Sequence, residues 1–304
     1  MVASLPDVVI EPVVRAALAE DLGRAGDVTA MACIPAAAKM SATFGARQSG
    51  VISGLCSARL AITALDPDAR FETNVADGAH VDAGTLLARV SGNARAILSA
   101  ERTGLNLLCH MSGIATLTAA YVAAIAGTRA RIADTRKTTP GLRALEKYAV
   151  RCGGGVNHRT SLQDLPMVKD NHVIAAGGVV PALDAIRGRH PGLPVEVEVT
   201  TLDQLDDLLA LPQPPERILL DNMSDELMTD AVRRTGGRVP LEASGGITLE
   251  RAARIGATGV DFVSVGALTH SVIVFDIGMD LTTPRPSSPP LRSPEQRRGD
   301  PGLR

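Results

Sequence analysis

The sequence is poor in aromatic side chains: four Phe, two Tyr and no Trp make up 2% of its 304 residues. Apolar residues nevertheless reach 45%, so Ala, Val, Leu and Ile must fill the core, which suits parallel strands buried on both faces. Charge of one sign is also lacking. A formal net charge of −2 gives no global field to attract nucleic acid or an anionic membrane, and any anion recognition must come from a local cluster. Cysteine is sparse: Cys33, Cys56, Cys109 and Cys152 lie far apart without a CxxC pair or a His at ligand spacing, which argues against a zinc site or a disulfide framework. No stretch approaches the roughly 20 apolar residues of a membrane span. The opening "MVASLPDVVIEPVV" has no positive region ahead of a long apolar core, and a cytoplasmic protein is expected.

A chain of 304 residues exceeds the usual domain of about 100–200 residues, so one large and one smaller domain are expected. Up to Gly92, short strand-like runs such as "FGARQSGVISGL" alternate with turns, which predicts a small α/β domain. From Ala94 the pattern becomes a long helix in which Ile97, Gly104, Leu108 and Met111 share a face. Arg102 lies about 140° around that helix from Ile97 and should point away from the core.

Beyond Thr128 six apolar runs, "ARIADTR", "PMVKDN", "PVEVEVT", "RILLDN", "PLEASGG" and "GVDFVSVGA", are mostly separated by amphipathic stretches. That alternation predicts βα units with parallel strands, as an open doubly wound sheet or a barrel-like closure. The boundaries expected are 1–115 for the N-terminal domain with its linking helix, 116–270 for the second domain, 271–280 for a return segment and 281–304 for a disordered tail rich in Pro and Arg.

Each run ends in a group that can do chemistry: Arg136 and Lys137, Lys169, Glu198, Asp221, Ser244 and Gly266. In α/β barrels the C-terminal ends of the strands form the rim of the active site. Asp221 and Ser244 could equally cap the helices that follow them.

From Arg131 to His172 the lysines and arginines exceed the acids by four. Glu146, set among Arg143, Lys147 and Arg151, fits an ordinary solvated helix face. The cations at strand ends and loops, Arg136, Lys137, His158 and Arg159, point to an anion, with "GGGVN" letting the backbone turn sharply toward it. Arginine offers a fork to a carboxylate and lysine a point charge to a phosphate. Glu198 and Asp221, on successive strand ends, suit a Mg²⁺–phosphate substrate. Glu196 shares the strand face of Glu198, and spacing leaves open which of the two reaches the ligand, with Glu198 nearer the strand's end. The "SGGI" and "GALTHS" segments resemble late βα loops that present backbone N–H groups to a phosphate.

These residues resemble the quinolinate phosphoribosyltransferases. The resemblance runs through "AEDLGRAGDVTA", "AERTGLNLL", "SGIAT", "DTRKTTPGLRALEKYAVRCGGGVNHR", "KDNH", "EVEV", "LLDN", "EASGGI" and "VSVGALTHS", nearly everything but the tail. It implies an N-terminal α/β sandwich followed by a partial, open α/β barrel with fewer than eight parallel strands. It also implies a homodimer in which Arg102 is supplied across the interface.

The implied reaction transfers the phosphoribosyl group of phosphoribosyl pyrophosphate to quinolinate and releases CO2, giving nicotinate mononucleotide and pyrophosphate in de novo NAD biosynthesis. The resemblance assigns Arg102, Arg136, His158, Arg159 and Lys169 to the carboxylates of quinolinate, with Thr135 among the binding residues. It assigns Lys137, Glu198 and Asp221, with the loops of Ser244, Gly245, Gly246, Gly266, Ala267 and His270, to Mg²⁺-bound phosphoribosyl pyrophosphate. Lys137, Lys169, Glu198 and Asp221 are the implied catalytic groups, and Glu198 and Asp221 the Mg²⁺ ligands, directly or through water. Thr160, Ser161 and Pro166 depart from the family's usual Leu, Gly and small apolar residue. Other chemistry remains open: a Schiff base on Lys169 in a barrel aldolase, a relative acting on another aromatic acid or tied to metal transport, or a non-catalytic binding protein.

Overall fold

The structure, a computed structural model, describes residues 2–282. The N-terminal part contains α1 (Asp7–Leu22), α2 (Val28–Cys33), β1 (Lys39–Ala46), β2 (Gly50–Val51), α3 (Leu55–Thr63), β3 (Arg70–Thr73), β4 (His80–Val81) and β5 (Leu86–Asn93). The helix α4 (Ala94–Ala124) links it to the second part. There follow β6 (Arg131–Ala133), α5 (Arg143–Cys152), β7 (Met167–Val168), α6 (Asp170–Ala176), α7 (Val179–Arg189), β8 (Glu196–Val199), α8 (Leu202–Leu209), β9 (Arg217–Asp221), α9 (Asp225–Thr235), β10 (Leu241–Ser244), α10 (Leu249–Ala257), β11 (Phe262–Ser264), α11 (Ala267–His270) and β12 (Ile277–Leu281).

The first sheet is antiparallel, in the order β12-β1-β5-β3. Its last member comes from the far end of the chain: β12 pairs with β1, placing Thr43 opposite Asp280 and Ala42 opposite Leu281. Leu281, expected to begin the tail, therefore closes a strand, and the remainder of that tail beyond Thr282 lies outside the described residues.

All six runs counted in the sequence form strands of one sheet, ordered β6-β11-β10-β9-β8-β7, in which every neighbouring pair is parallel. Connections that return through helices enforce the parallel direction. A bridge from Ala133 to Val156 extends the β6 edge, and the fold is an open α/β barrel. The helices start where hydroxyls accept otherwise unpaired N–H groups: Thr201 from Gln204, Ser224 from Leu227 and Thr248 from Arg251. Capping thus falls to Ser224 and Thr248, and Asp221 and Ser244 are left for the cavity.

At 31 residues α4 is long and apolar enough to span a bilayer by length and composition, contrary to the sequence expectation; half of its most apolar stretch is buried within the protein. Thr, Ser, Asn and Gly interrupt the run and hide its average character. Ile97, Gly104, Leu108 and Met111 are buried as their spacing predicts, and Arg102 is exposed. The glycines of "GGGVN" do not line the cavity described below. They serve helix packing: a Cβ on Gly153 would lie 2.3 Å from the Ala115 carbonyl of α4, and one on Gly155 would crowd Thr118 and Val150.

Candidate active site

The C-terminal ends of the parallel strands surround a cavity of about 810 Å³. Thr135, Arg136 and Lys137 enter it from the loop after β6, His158 and Arg159 from the loop after the Val156 bridge, and Lys169 from the end of β7. Glu198 reaches it from β8, Asp221 from β9, Ser244, Gly245 and Gly246 from β10 and its turn, and Gly266, Ala267 and His270 from β11 and α11. Of the residues expected at the site only Arg102 is elsewhere, exposed on α4. Glu198 lines the cavity and Glu196 does not, one pleat repeat deeper on the same strand face.

One side of the cavity is cationic. Arg136 has a buried Nε without a partner among the described residues, and the Arg159 guanidinium donates to the Leu165 carbonyl at 3.0 Å and approaches the Met167 sulfur at 3.7 Å. Burial, and then the charge of Arg136, push the Arg159 pKa down. Two neighbouring guanidiniums without a carboxylate at ion-pair distance among the described residues call for an external anion. Lys169 Nζ lies 3.3 Å from Glu198 Oε2 and joins this side to the acidic one.

The acidic side rests on two close backbone approaches. Asn222 has a left-handed backbone (φ 53°) and donates from Nδ2 to Asp221 Oδ2 at 2.7 Å. A Cβ on Gly245, itself at φ +95°, would fall 2.2 Å from Asn222 Oδ1, so no side chain fits there. At Gly266 a Cβ would sit 2.9 Å from Lys137 Cδ and 3.2 Å from the His270 ring. The Lys137 loop is held by Thr269, whose hydroxyl donates to the Lys137 carbonyl at 2.8 Å.

Behind the cationic loops lies a buried pair that the sequence assigned to solvent. Lys147, 3% exposed, and Glu146, fully buried, belong to the core side of α5. Lys147 donates to the carboxylate of Asp134 and to the His158 carbonyl at 3.1 Å, while Asp134 accepts the His158 N–H at 2.8 Å. Burial pushes both members toward neutrality, raising Asp134 and lowering Lys147 against their mutual attraction. Glu146 accepts from Thr139 N–H at 3.0 Å and pairs with His110 at 2.9 Å. Helical spacing shows which charges are neighbours but not what packs over them, which is why both were misplaced.

A second buried cluster forms the floor. His158 Nε2 lies 2.8 Å from Glu196 and 3.4 Å from Glu242, and Glu242 pairs with Arg217 at 2.9 Å. These three could meet around a cation, but His158 Nδ1 accepts the Arg159 N–H at 2.7 Å. That leaves the ring proton on Nε2, whereas a metal-bound imidazole needs a lone pair there and a proton on Nδ1. A proton fits the cluster better. Burial opposes charge on His158, and the contacts with Glu196 and Glu242 more than offset it, pushing the pKa up to about 9. Burial also raises Glu196, with Glu242 adding to it, and neither Glu196 oxygen has an aligned donor. Glu242 is held charged by His158 and Arg217 despite its burial. One extra proton shared between His158 and Glu196 satisfies the set, and Arg217 balances Glu242.

A carboxyl whose folded pKa is raised contributes stability below its unfolded pKa and loses it as pH rises through the folded value. Glu196→Gln keeps the shape without an ionisable proton, so its melting temperature should gain on the wild type as pH rises above the ordinary carboxylate range. Parallel thermal melts check this, and a constant difference would place no titrating proton on Glu196.

Sequence reasoning missed Glu242, Asn222, Thr248, Ser264, Asp170, Met167 and Leu219, all of which line the cavity. Glu242 stands two residues before Ser244, so the face rule that paired Glu196 with Glu198 would have found it. Met167 and Leu219 supply an apolar surface amid the charges.

Residues 27–112 match the family Quinolinate phosphoribosyl transferase, N-terminal domain, and residues 114–280 its C-terminal domain. The nicotinate-nucleotide pyrophosphorylase [carboxylating] of Mycobacterium leprae (strain TN) is 52% identical over 273 residues, 88% of this chain and 95% of that protein. A chloroplastic protein of the same name from Arabidopsis thaliana is 42% identical over 92% of this chain and 85% of its own length. Among solved structures, NadC from Streptococcus pyogenes superposes with a TM-score of 0.88 at 38% identity, covering 92% of this chain and 99% of that one. The nicotinate-nucleotide pyrophosphorylase from Francisella tularensis gives 0.87 at 37% identity, over 93% and 99% of the two chains.

Proposed function

The chain belongs to the quinolinate phosphoribosyltransferase family, and from that premise we propose how its cavity divides the work between two substrates. The enzyme transfers the phosphoribosyl group of phosphoribosyl pyrophosphate to quinolinate with loss of CO2, giving nicotinate mononucleotide in NAD biosynthesis. The observation that carries the division is the meeting, in one cavity, of a cationic side (Arg136, Arg159, Lys169) and an acidic, glycine-bordered side (Glu198, Asp221, Gly245, Gly266).

Quinolinate is a flat dianion. Arg136 and Arg159 take its carboxylates with forked hydrogen bonds, and Met167 and Leu219 offer its ring an apolar surface. His158 acts from beneath, since both ring nitrogens face protein groups. Lys137, with the backbone of the Gly245–Gly246 and Gly266–Ala267 turns, takes the phosphates. Glu198 and Asp221 present hard carboxylate oxygens from adjacent strands to one space, which fits a hydrated Mg²⁺ that neutralises the phosphates when bound.

Positive charge develops on the ribose as pyrophosphate leaves and the pyridine nitrogen attacks; Glu198 and Asp221 stabilise that charge and Lys137 balances the departing phosphates. Holding the two substrates face to face supplies much of the rate. The 2-carboxylate then departs as CO2, its electron pair stabilised by the ring's positive nitrogen, and Lys169 or water returns a proton to carbon. Arg102, exposed on α4, completes the carboxylate site of a partner subunit in a homodimer, and the enzyme works in the cytoplasm.

Purified protein with quinolinate, phosphoribosyl pyrophosphate and Mg²⁺ should form nicotinate mononucleotide and CO2, with nicotinic acid a poor replacement. Equal rates with nicotinic acid would remove the second carboxylate from the recognition scheme. Loss of Mg²⁺ dependence would release Glu198 and Asp221 from their role.

A further inference from the structure

Arg159 is held in place by neutral atoms alone, chiefly the Leu165 carbonyl 3.0 Å from its Nη1. Its aim therefore depends on where Leu165 is fixed, and Leu165 follows an exposed acid that touches nothing in the cavity. Asp164 Oδ2 accepts the N–H groups of Thr160 at 2.8 Å and Ser161 at 2.9 Å together with the Thr160 hydroxyl, and Oδ1 accepts the Ser161 hydroxyl at 2.5 Å. Four donors on one carboxylate close residues 160–164 into a turn that starts beside Arg159 and ends beside Leu165. The turn is tied outward as well: Arg143 donates to the Thr160 carbonyl and, through Nε, to the Thr138 hydroxyl, each at 3.0 Å. Thr160 and Ser161 are two of the departures noted in the sequence, and their hydroxyls supply two of the four donors.

We propose that Asp164 is a positioning residue for the reaction: with Thr160 and Ser161 it pins the Leu165 carbonyl and so fixes the guanidinium of Arg159 for a substrate carboxylate. Without the turn the arginine keeps its charge and loses its fixed direction, and binding must then order a long side chain. This rests on the assignment of Arg159 to a quinolinate carboxylate.

The test is steady-state kinetics with each substrate varied in turn, for wild type, Asp164→Ala, Thr160→Val with Ser161→Ala, Arg159→Ala, and Arg159→Ala with Asp164→Ala. Asp164→Ala should raise the quinolinate KM about five- to tenfold while the KM for phosphoribosyl pyrophosphate stays within about twofold, because only preorganisation at one site is lost. The double hydroxyl variant should raise it about threefold, two of four donors remaining. In the Arg159→Ala background the removal of Asp164 should add nothing, since its action passes through that side chain.

An unchanged quinolinate KM in Asp164→Ala, a rise in both KM values together, or a further rise on top of Arg159→Ala would overturn the inference. If Arg159→Ala itself leaves the quinolinate KM unchanged, the assignment of Arg159 falls and takes this inference with it. If Arg159→Ala raises it and Asp164→Ala does not, the inference falls alone.

Discussion

The Asp221→Asn variant is expected to lose at least about a hundredfold in kcat/KM, about 3 kcal/mol of transition-state stabilisation. Asp221 closes β9, and its neighbour Asn222 donates to it at 2.7 Å from a left-handed backbone position over which Gly245 packs. The carboxylate is thus held in one place before any substrate arrives. Asn keeps the size of the side chain but lacks the charge that must face the developing positive centre and the phosphate-bound cation. Glu198→Gln should show a loss of the same order, the two carboxylates coming from adjacent strands. Initial rates over a range of phosphoribosyl pyrophosphate and Mg²⁺, with melting temperatures as a control for folding, check both. A loss below about tenfold in either variant would remove that residue from the catalytic group.

Arg136→Ala should cost at least about thirtyfold in kcat/KM for quinolinate, about 2 kcal/mol, because a substrate carboxylate would lose its forked partner. Stability should not fall with it. Arg136 and Arg159 are like charges that disfavour one another, and Arg136 Nε has no partner to lose. Activity and melting temperature are therefore expected to separate, activity falling sharply while the protein melts at or above the wild-type temperature. Arg136→Lys should recover little, since an ammonium cannot offer two parallel donors. A loss smaller than about threefold in the alanine variant would end the carboxylate role.

The parallel sheet was legible because its strands are apolar runs that end in functional residues, and period-two and helical patterns are local properties of a chain. Strand-end logic together with the family resemblance placed fourteen of the fifteen expected site residues around one cavity. What was not legible depends on partners distant in sequence. Glu146 and Lys147 look like a solvated helix face until Asp134, His110 and the His158 loop are packed over them. Gly153 and Gly155 look like a ligand loop until α4 is seen against them. Glu242, the one acid of β10, shares the strand face of Ser244, but that its charge meets Arg217 is again set by a partner distant in sequence.

The pairing of β12 with β1 joins residues as far apart as Thr43 and Asp280. During synthesis β1 leaves the ribosome long before its outer neighbour exists, and the first sheet presents an open edge until nearly the whole chain has been made. The domain made first is consequently among the last to be finished. Its closure must bridge a loop of more than two hundred residues already holding the barrel, and such long-range pairings form slowly. Trimming the chain back through β12 would thus damage the beginning of the protein rather than its end, uncovering β1 while leaving the parallel sheet its full set of strands.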